Sequence, residues 1–275
     1  MASRTWLITG CSTGFGRALA QMLLERGERV AASARRPEVL ADLVAAHGGR
    51  ALALRLDVTC PQDVANAVAA ARAQFGQIDV LVNNAGYGHF GPLEACTMDD
   101  ARAVMETNYF GAVAMIREVL PDMIARRTGQ IVNIGSVAGQ IGFPALGLYC
   151  ATKFAVSGLS ESLGAELAPL GIHVTIAELG PFNTEFNNSL SVSAPAAHYD
   201  LLALSREAGN DAWIYGEPRD AAEALYDALG QPSPPRRLVL GQTALETMRL
   251  HEGRRMAERE GWMDTTLRAQ LLVAD

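Results

Sequence analysis

The sequence predicts a single α/β domain in which a doubly wound, seven-stranded parallel sheet carries helices on both faces. Short runs of β-branched and apolar residues alternate with longer Ala- and Leu-rich runs of helical periodicity. That alternation is typical of a parallel sheet covered by helices. A Gly-rich turn follows the first apolar run directly, and no Pro/Gly/Ser linker or internal repeat divides the chain. We therefore expect one domain over residues 1–275.

The elements follow from these runs. Strands are predicted near residues 4–9, 29–34, 50–56, 78–82, 129–135, 171–178 and 236–240. Helices are predicted near residues 15–27, 37–47, 61–75, 99–126, 149–169 and 217–229. Residues 183–216 break the alternation, and a connection of that length inside a compact domain indicates a substrate lid. The charged segment over about 242–275 predicts a helical C-terminal extension with a solvated face.

Composition excludes several classes of protein. A net charge of −7 and a pI near 5.3 leave no basic surface of the kind that nucleic acid or an anionic membrane requires. The four cysteines form no CxxC pair and the five histidines show no metal-ligand spacing, so we expect no metal and reduced thiols in a cytoplasmic protein. The N-terminal apolar run is too short for a secretory signal. Glycines and polar residues interrupt the uncharged stretch between Arg127 and Lys153, which argues against a membrane span.

Residues 9–16, with the sequence TGCSTGFG, join the first predicted strand to the first predicted helix. Glycines at 10, 14 and 16 permit a tight turn, and they let backbone N–H groups approach a pyrophosphate at the positive end of the helix. A purely structural turn is the alternative. The order of strand, turn and helix favours a dinucleotide site and a Rossmann fold.

The end of the second strand indicates which dinucleotide binds. A cofactor without a 2′-phosphate calls for an Asp or Glu at this position, to accept a hydrogen bond from the ribose hydroxyl. No carboxylate lies between Arg29 and Pro37, and the strand runs into Arg35 and Arg36. Paired guanidinium groups suit a phosphate, so the sequence predicts NADP(H). The alternative is two solvated arginines at the start of a helix.

Lys153 is the only lysine in the chain, although the chain has 23 basic residues. It follows Tyr149 by four residues, so the two side chains share one face of a helix. At a separation of ~5 to 6 Å, Coulomb attraction would lower the pKa of Tyr149 from ~10 toward ~8, near the optimum for an acid/base catalyst. Ser136 ends the fifth predicted strand and can donate a hydrogen bond to a carbonyl oxygen. The alternatives are a capping serine, a half-buried tyrosine and a surface lysine left by chance in an Arg-rich chain.

Together these residues give the chain a resemblance to the short-chain dehydrogenase/reductase family over almost its whole length. The motifs are the TGxxxGxG turn, Asp57, residues 83–86 (NNAG), and the set formed by Asn108, Ser136, Tyr149 and Lys153. The resemblance implies that this set is catalytic, with the Asn108 backbone anchoring a water in the proton relay. The expected cofactor-binding residues are Thr9, Gly10, Ser12, Thr13, Gly14, Phe15, Gly16, Arg35, Arg36, Asp57, Val58, Asn83, Ala85, Gly86, Tyr149, Lys153, Gly180, Phe182 and Thr184.

Within the family, residues 142–186 are similar to the branch of 17β-hydroxysteroid and retinol dehydrogenases and bacterial carbonyl reductases. One feature departs from the family pattern, which has Pro-Gly after the sixth strand, whereas this chain has Leu179-Gly180-Pro181. The family often pairs the helices predicted here at 99–126 and 149–169, which implies a homodimer or a homotetramer.

These observations predict an NADP(H)-dependent oxidoreductase that interconverts a lipophilic ketone and a secondary alcohol. The expected cleft residues are apolar, namely Phe143, Leu146, Leu148, Phe182, Phe186, Leu190, Trp213 and Tyr215. No Arg or Lys lies between Lys153 and Arg206, so this segment offers no cation to an anionic substrate. Two alternatives stay open: a 3-oxoacyl-thioester reductase, and a regulatory protein that senses NADP without catalysis.

Overall fold

The computed structural model describes residues 3–186, 189–194, 198, 200, 203 and 213–271. Their strands are β1 Thr5–Ile8, β2 Arg29–Ala34, β3 Ala51–Arg55, β4 Val80–Asn83, β5 His89–Phe90, β6 Gly129–Ser136, β7 Ile172–Leu179, β8 Ser191–Val192 and β9 Arg237–Leu240. Their α-helices are α1 Gly14–Glu25, α2 Ala41–His47, α3 Pro61–Phe75, α4 Met98–Met105, α5 Gly111–Arg126, α6 Gly147–Leu167, α7 Pro218–Leu229, α8 Gln242–Gly261 and α9 Met263–Leu271.

Seven of these strands form one parallel sheet in the order β3-β2-β1-β4-β6-β7-β9. This confirms the predicted single-domain Rossmann fold and its strands, whose ends lie within two residues of the predicted ones. The order reverses beside β1, which pairs with β2 on one side and β4 on the other. A reversal of this kind opens a crevice at the carboxyl ends of the strands, where ligands of such sheets bind.

The core lies in two layers, one on each face of the sheet. Side chains of a strand alternate between the faces, so Trp6 and Ile8 pack in one layer and Leu7 in the other. All three are 0% exposed. Helices α1 and α7 cover the first layer, and α3, α5 and α6 cover the second. With both faces covered, the strands are apolar throughout, as the sequence pattern indicated.

The structure differs from the predicted helices at two places. The helix expected over 99–126 is α4 and α5 joined by a π-helical segment, Glu106–Phe110. Such segments insert one extra residue per turn and often occur at functional sites, and this one contains Asn108. The helix expected over 37–47 begins as a 3-10 turn, Pro37–Leu40, before α2.

The predicted lid is only partly described, since residues 187–188, 195–197, 199, 201–202 and 204–212 lie outside the described residues. In the described part, β8 pairs in parallel with β5 to form a second, two-stranded sheet. The predicted extension after Gly241 forms α8 and α9, while residues 272–275 lie outside the described residues. No helix in the described ranges is long and apolar enough to cross a membrane.

The Gly-rich turn packs against the loop after β4 so closely that Gly10 and Gly16 have no space for a side chain. A Cβ atom on Gly16 would lie 2.3 Å from Asn84 Nδ2 and 2.6 Å from the Gly10 carbonyl oxygen. Gly10 has a φ of +72°, and its Cβ would lie 2.8 Å from the Ala85 Cα. Glycine is therefore required at both positions by packing against backbone.

We expect Gly16→Ala to destabilise the protein by about 1–3 kcal/mol, because the added methyl group must displace backbone in a close-packed turn. Dinucleotide affinity should fall with it. Gly253→Ala on α8 is the matched control, since its Cβ would meet nothing within 4 Å, and we expect a gain of up to about 1 kcal/mol there. Chemical denaturation of both variants measures the difference, and equal stabilities would contradict this account of the turn.

Candidate active site

Strand β6 and helix α6 bring Ser136, Tyr149 and Lys153 together, as the sequence predicted. Ser136 is the last residue of β6, and the other two lie one turn apart near the start of α6. Lys153 is 7% exposed, and its Nζ donates a hydrogen bond of 2.8 Å to the Ile134 carbonyl oxygen. The same Nζ lies 5.7 Å from the centre of the Tyr149 ring. The lysine is therefore buried between the sheet and α6, which a surface lysine left by chance would not be.

The predicted lowering of the Tyr149 pKa is wrong for this arrangement. Burial raises the pKa of Tyr149 well above its usual range, and a hydrogen bond with Ser136 opposes that rise only in part. Burial also lowers the pKa of Lys153 to about 8. The sequence argument counted the attraction between the charges and left out the cost of removing both groups from water. The phenol is thus protonated at neutral pH.

Ser136 is held so that its hydroxyl faces Tyr149. It begins a 3-10 turn over Val137–Gly139, and its Oγ accepts a hydrogen bond of 3.1 Å from the Ala138 backbone N–H. The hydroxyl proton remains able to be donated to Tyr149 or to a carbonyl oxygen beside it. Serine and tyrosine can therefore both contact one oxygen atom of a substrate.

Asn108 joins the π-helical segment to two neighbouring elements through its side chain. Its Oδ1 accepts from the Tyr87 backbone N–H at 3.0 Å, and its Nδ2 donates to the Tyr87 carbonyl and to Thr152 Oγ1 at 2.9 and 3.0 Å. A Cβ on Gly86 would lie 3.0 Å from the same Oδ1. The role implied for the Asn108 backbone stays a prediction. Sequence reasoning missed Thr152 and Tyr87, although Thr152 directly precedes Lys153.

A small cavity, with room for about one water molecule, lies between Thr9 and Lys153. Its lining includes six residues that the sequence assigned to the site: Thr9, Val58, Asn83, Ala85, Asn108 and Lys153. Thr9 Oγ1 accepts hydrogen bonds of 2.9 Å from the backbone N–H groups of Asn84 and Ala85. The Asn84 side chain returns two bonds of 2.9 Å, to the carbonyls of Thr9 and Gly10. The sequence pointed to Asn84 only as part of the NNAG motif. In the structure, its side chain joins the loop after β4 to the Gly-rich turn.

The start of α1 fits the pyrophosphate of a dinucleotide. The N-cap Thr13 makes no capping hydrogen bond through its side chain, and the first turn holds no acidic residue. The Thr13 side chain therefore does not cap the first backbone N–H groups of α1. These groups lie at the positive end of the helix dipole, where an anion is favoured. Ser12 and Thr13 are exposed, whereas the Phe15 side chain is 7% exposed and packs in the core. Only the backbone of Phe15 can therefore contact a cofactor.

Beyond the end of β2 lie two unpaired guanidinium groups. Arg35 and Arg36 are exposed, and neither guanidinium group makes a hydrogen bond or an ion pair with any other described residue. Asp57 lies close enough to respond to Arg35. Burial raises the pKa of Asp57, but hydrogen bonds from Thr59 and the charge of Arg35 outweigh burial and lower it overall.

The sequence Leu179-Gly180-Pro181 departs from the family pattern after β7, and the chain beyond it contacts the Gly-rich turn. Gly180 N–H donates to the Leu240 carbonyl at 2.9 Å, and Phe182 forms an isolated bridge with Gly216. Thr184 then lies beside Gly14, whose Cβ would be 3.5 Å from the Thr184 Cβ. Gly14 and Thr184 line one open groove. The Phe182 ring packs against the core layer covered by α1.

The sequence profile of the short chain dehydrogenase family matches residues 4–194. The chain belongs to this family. Human 17-beta-hydroxysteroid dehydrogenase type 1 is 36% identical over 270 residues, covering 91% of this chain and 81% of the human protein. A 3-ketodihydrosphingosine reductase from Bacteroides thetaiotaomicron is 37% identical over 244 residues, covering 86% of this chain and 87% of the relative. These matches confirm the family and the branch that the motifs indicated.

Solved structures extend the likeness over the whole fold. A short-chain dehydrogenase from Streptomyces avermitilis is 37% identical with a TM-score of 0.92, covering 98% of each chain. A family member from Burkholderia phymatum in complex with NAD is 26% identical with a TM-score of 0.80, over 93% of this chain and 95% of that one. One from Burkholderia cenocepacia in complex with NADP is 28% identical with a TM-score of 0.73, over 94% and 96%.

We expect Tyr149→Phe to lower oxidoreductase kcat/KM by about 10²–10⁴-fold, the usual contribution of a positioned acid, with cofactor affinity largely kept. Tyr226→Phe is the matched control, because its hydroxyl bonds to Glu28, outside the Ser136, Tyr149 and Lys153 cluster. Steady-state kinetics and cofactor titration measure both variants. Near-normal turnover by Tyr149→Phe would remove this tyrosine from the reaction.

We expect Lys153→Arg to lose most of kcat/KM, because a guanidinium cannot take the place of a compact ammonium buried against the Ile134 carbonyl. The pH profile gives a second readout. Since the pKa of Lys153 is lowered to about 8, its ammonium is present below that pH and lost above it, and wild-type reductase kcat/KM should fall there. An arginine stays charged, so the residual activity of the variant should lack this inflection, and an unchanged profile would contradict the assignment.

Proposed function

We propose that the protein is an NADP(H)-dependent oxidoreductase that interconverts a lipophilic ketone and a secondary alcohol. The observation that carries the proposal is the grouping of Ser136 at the end of β6 with Tyr149 and Lys153 near the start of α6, where the lysine is buried against β6. When bound, the nicotinamide cofactor supplies a hydride to the carbonyl carbon or takes one from the alcohol carbon. A panel of ketones and alcohols assayed with NADPH, NADH, NADP⁺ and NAD⁺ tests the reaction.

In the reducing direction, Tyr149 donates its phenolic proton to the carbonyl oxygen as negative charge develops there. Burial keeps that proton on the phenol, since it raises the pKa of Tyr149. Ser136 donates a hydrogen bond to the same oxygen and stabilises its charge before the proton arrives. The ammonium of Lys153 then favours the phenolate that remains. Oxidation of the alcohol uses the same groups in reverse.

The preference for NADP(H) is supported by Arg35. Its guanidinium group is exposed, has no ion-pair partner within the described ranges, and lies near Asp57, which is expected to contact the adenine. A 2′-phosphate would give it a partner of opposite charge and matching geometry. No carboxylate at the end of β2 is present to bind a ribose 2′-hydroxyl. Because one solved relative binds NAD and another binds NADP, the argument for NADP(H) over NAD(H) rests on Arg35.

We expect Arg35→Asp to lower kcat/KM with NADPH and to raise the ratio of NADH to NADPH activity by at least about 10-fold, because it replaces a phosphate partner with a ribose partner. Arg268→Asp on α9 is the matched control, since this exposed arginine contacts only Thr265 among described residues. Kinetics with both cofactors measure the ratio. A wild-type enzyme that prefers NADH would contradict the role of Arg35.

The lipophilic substrate is supported by an apolar wall beside Tyr149. The Phe186 ring lies 5.3 Å from the Tyr149 ring, and Phe143 and Trp213 pack edge to face at 5.8 Å. With Leu146 these residues form one cluster with Tyr149. Apolar burial of about 25 cal/mol per Å² would supply most of the affinity in such a pocket. Sterol, retinol and sphingoid substrates are named for several relatives.

Across aryl, alicyclic and long-chain ketones, we expect kcat/KM to rise with apolar area until the pocket is full. Phe186→Ala should lower kcat/KM for bulky ketones by about 10-fold or more, because it removes ring contacts, and should change it little for acetone-sized ketones. Trp262→Ala, which removes a 64% exposed ring on the extension, is the control. Best activity on acetone or on anionic oxo acids would contradict the proposed pocket.

The same panel, with 3-oxoacyl thioesters added, separates the other candidates. Faster turnover of 3-oxoacyl thioesters than of any simple ketone would favour a 3-oxoacyl-thioester reductase, and the absence of turnover would favour an NADP-sensing regulatory protein.

A homodimer or homotetramer through α5 and α6 stays a proposal. It is supported by Ile124 and Phe154 on these helices and by the adjoining Phe110, which are 40%, 40% and 50% exposed. The cytoplasmic location also stays a prediction.

A further inference from the structure

A carboxyl group lies buried behind the active-site turn and takes no part in the chemistry above. Glu178 on β7 is 0% exposed. Its Oε1 accepts hydrogen bonds from Gln140 Nε2 at 2.9 Å and from an Arg237 Nη1 on the neighbouring strand β9. Its Oε2 is buried and has no partner among the described residues. Buried carboxylates are costly unless paired, so the position calls for a physical reason.

The reason lies with Gln140, which is at the other end of the hydrogen-bond network formed by Arg237, Glu178 and Gln140. Gln140 directly follows the 3-10 turn that begins at Ser136, and its Nε2 also lies 3.4 Å from Ser157 Oγ. The turn itself is pressed onto α6, because a Cβ on Gly139 would lie 2.9 Å from both the Lys153 carbonyl oxygen and Ser157 Oγ. The network therefore attaches the turn to β7 on one side and to α6, one turn beyond Lys153, on the other.

The sheet by itself does not fix this turn. Pairing of β6 with β7 holds the chain as far as Ser136, which lies opposite Leu179. Beyond it, the backbone bonds of Gln140 and Ile141 both return to the Val137 carbonyl, inside the turn. The Gln140 side chain thus provides a hydrogen bond from the turn to Glu178 on β7. Arg237, which also lies 3.6 Å from Glu161 on the surface of α6, supplies a positive charge that opposes in part the rise in the pKa of Glu178 caused by burial.

We propose that Glu178 and Gln140 are positioning residues for Ser136: Glu178 holds the Gln140 side chain, and Gln140 holds the turn so that the Ser136 hydroxyl faces Tyr149. Neither residue contacts the reacting atoms. The proposal rests on the proposed function for its kinetic consequence. Its structural consequence, the interaction of the Ser136 hydroxyl with the Tyr149 phenol, does not depend on the substrate.

A double-mutant cycle tests the proposal. Gln140→Leu removes both side-chain bonds and leaves the Glu178 and Arg237 pair intact. We expect it to lower kcat for ketone reduction by about 10-fold, because small displacements of a catalytic group are costly, with NADPH Kd and ketone KM within about 2-fold of wild type. In a Ser136→Ala background the same change should cost less than about 2-fold, since coupled residues are not additive. Gln242→Leu, at a glutamine that contacts Glu246 on the surface, is the control.

Spectroscopy tests the same point without turnover. In protein labelled with ¹³Cζ-tyrosine, with the Tyr149 signal assigned through Tyr149→Phe, Gln140→Leu should move that signal toward its position in Ser136→Ala. Glu178→Gln keeps an oxygen that accepts from Gln140, so it should leave the signal and kcat close to wild type while lowering thermal stability. Gln140→Met, which is unbranched like glutamine, replaces Gln140→Leu if that variant folds poorly.

Equal losses of kcat in both backgrounds, or an unchanged Tyr149 signal in the Gln140 variants, would overturn the positioning role. A wild-type protein that reduces no ketone would contradict the proposed function instead, and the Tyr149 signal would still decide whether Gln140 positions Ser136.

Discussion

The candidate active site depends on one buried ammonium group. Lys153 lies under the cleft with its Nζ bonded to the Ile134 carbonyl oxygen at 2.8 Å, so this contact joins α6, which carries Tyr149, to β6, which ends at Ser136. Burial lowers its pKa to about 8 and raises that of Tyr149. The site therefore keeps its tyrosine protonated at neutral pH, with the buried lysine close to its ring.

Around that group, buried polar side chains hold the loops at the carboxyl ends of the strands. Thr9 and Asn84 join the Gly-rich turn to the loop after β4, and Asn108 joins that same loop to α6. Each bond satisfies backbone or side-chain groups that have left water, so losing one leaves its partner unsatisfied. The loops that would contact a cofactor are in this way tied to one another as well as to the sheet.

Several features of the site were predictable from the sequence because they depend on spacing along one element. Tyr149 and Lys153 share a face of α6 by helical periodicity, and Gly10 and Gly16 mark a turn that leaves no room for side chains. The direction of the Tyr149 pKa shift was not predictable in the same way. It depends on how deeply the rings and helices around the phenol exclude water, and no local pattern contains that quantity.

The sequence alone determined the parallel sheet, the Gly-rich turn, the absence of a carboxylate at the end of β2 and the residues proposed as the catalytic set, because periodicity and residue type are local properties. Tertiary structure decided which distant residues meet. It placed Thr152 against Asn108, Phe186 against the Tyr149 ring, and Gln140 against Glu178, which lies 38 positions along the chain. Such contacts are set by the packing of helices and loops onto the sheet, and packing is a property of the whole fold.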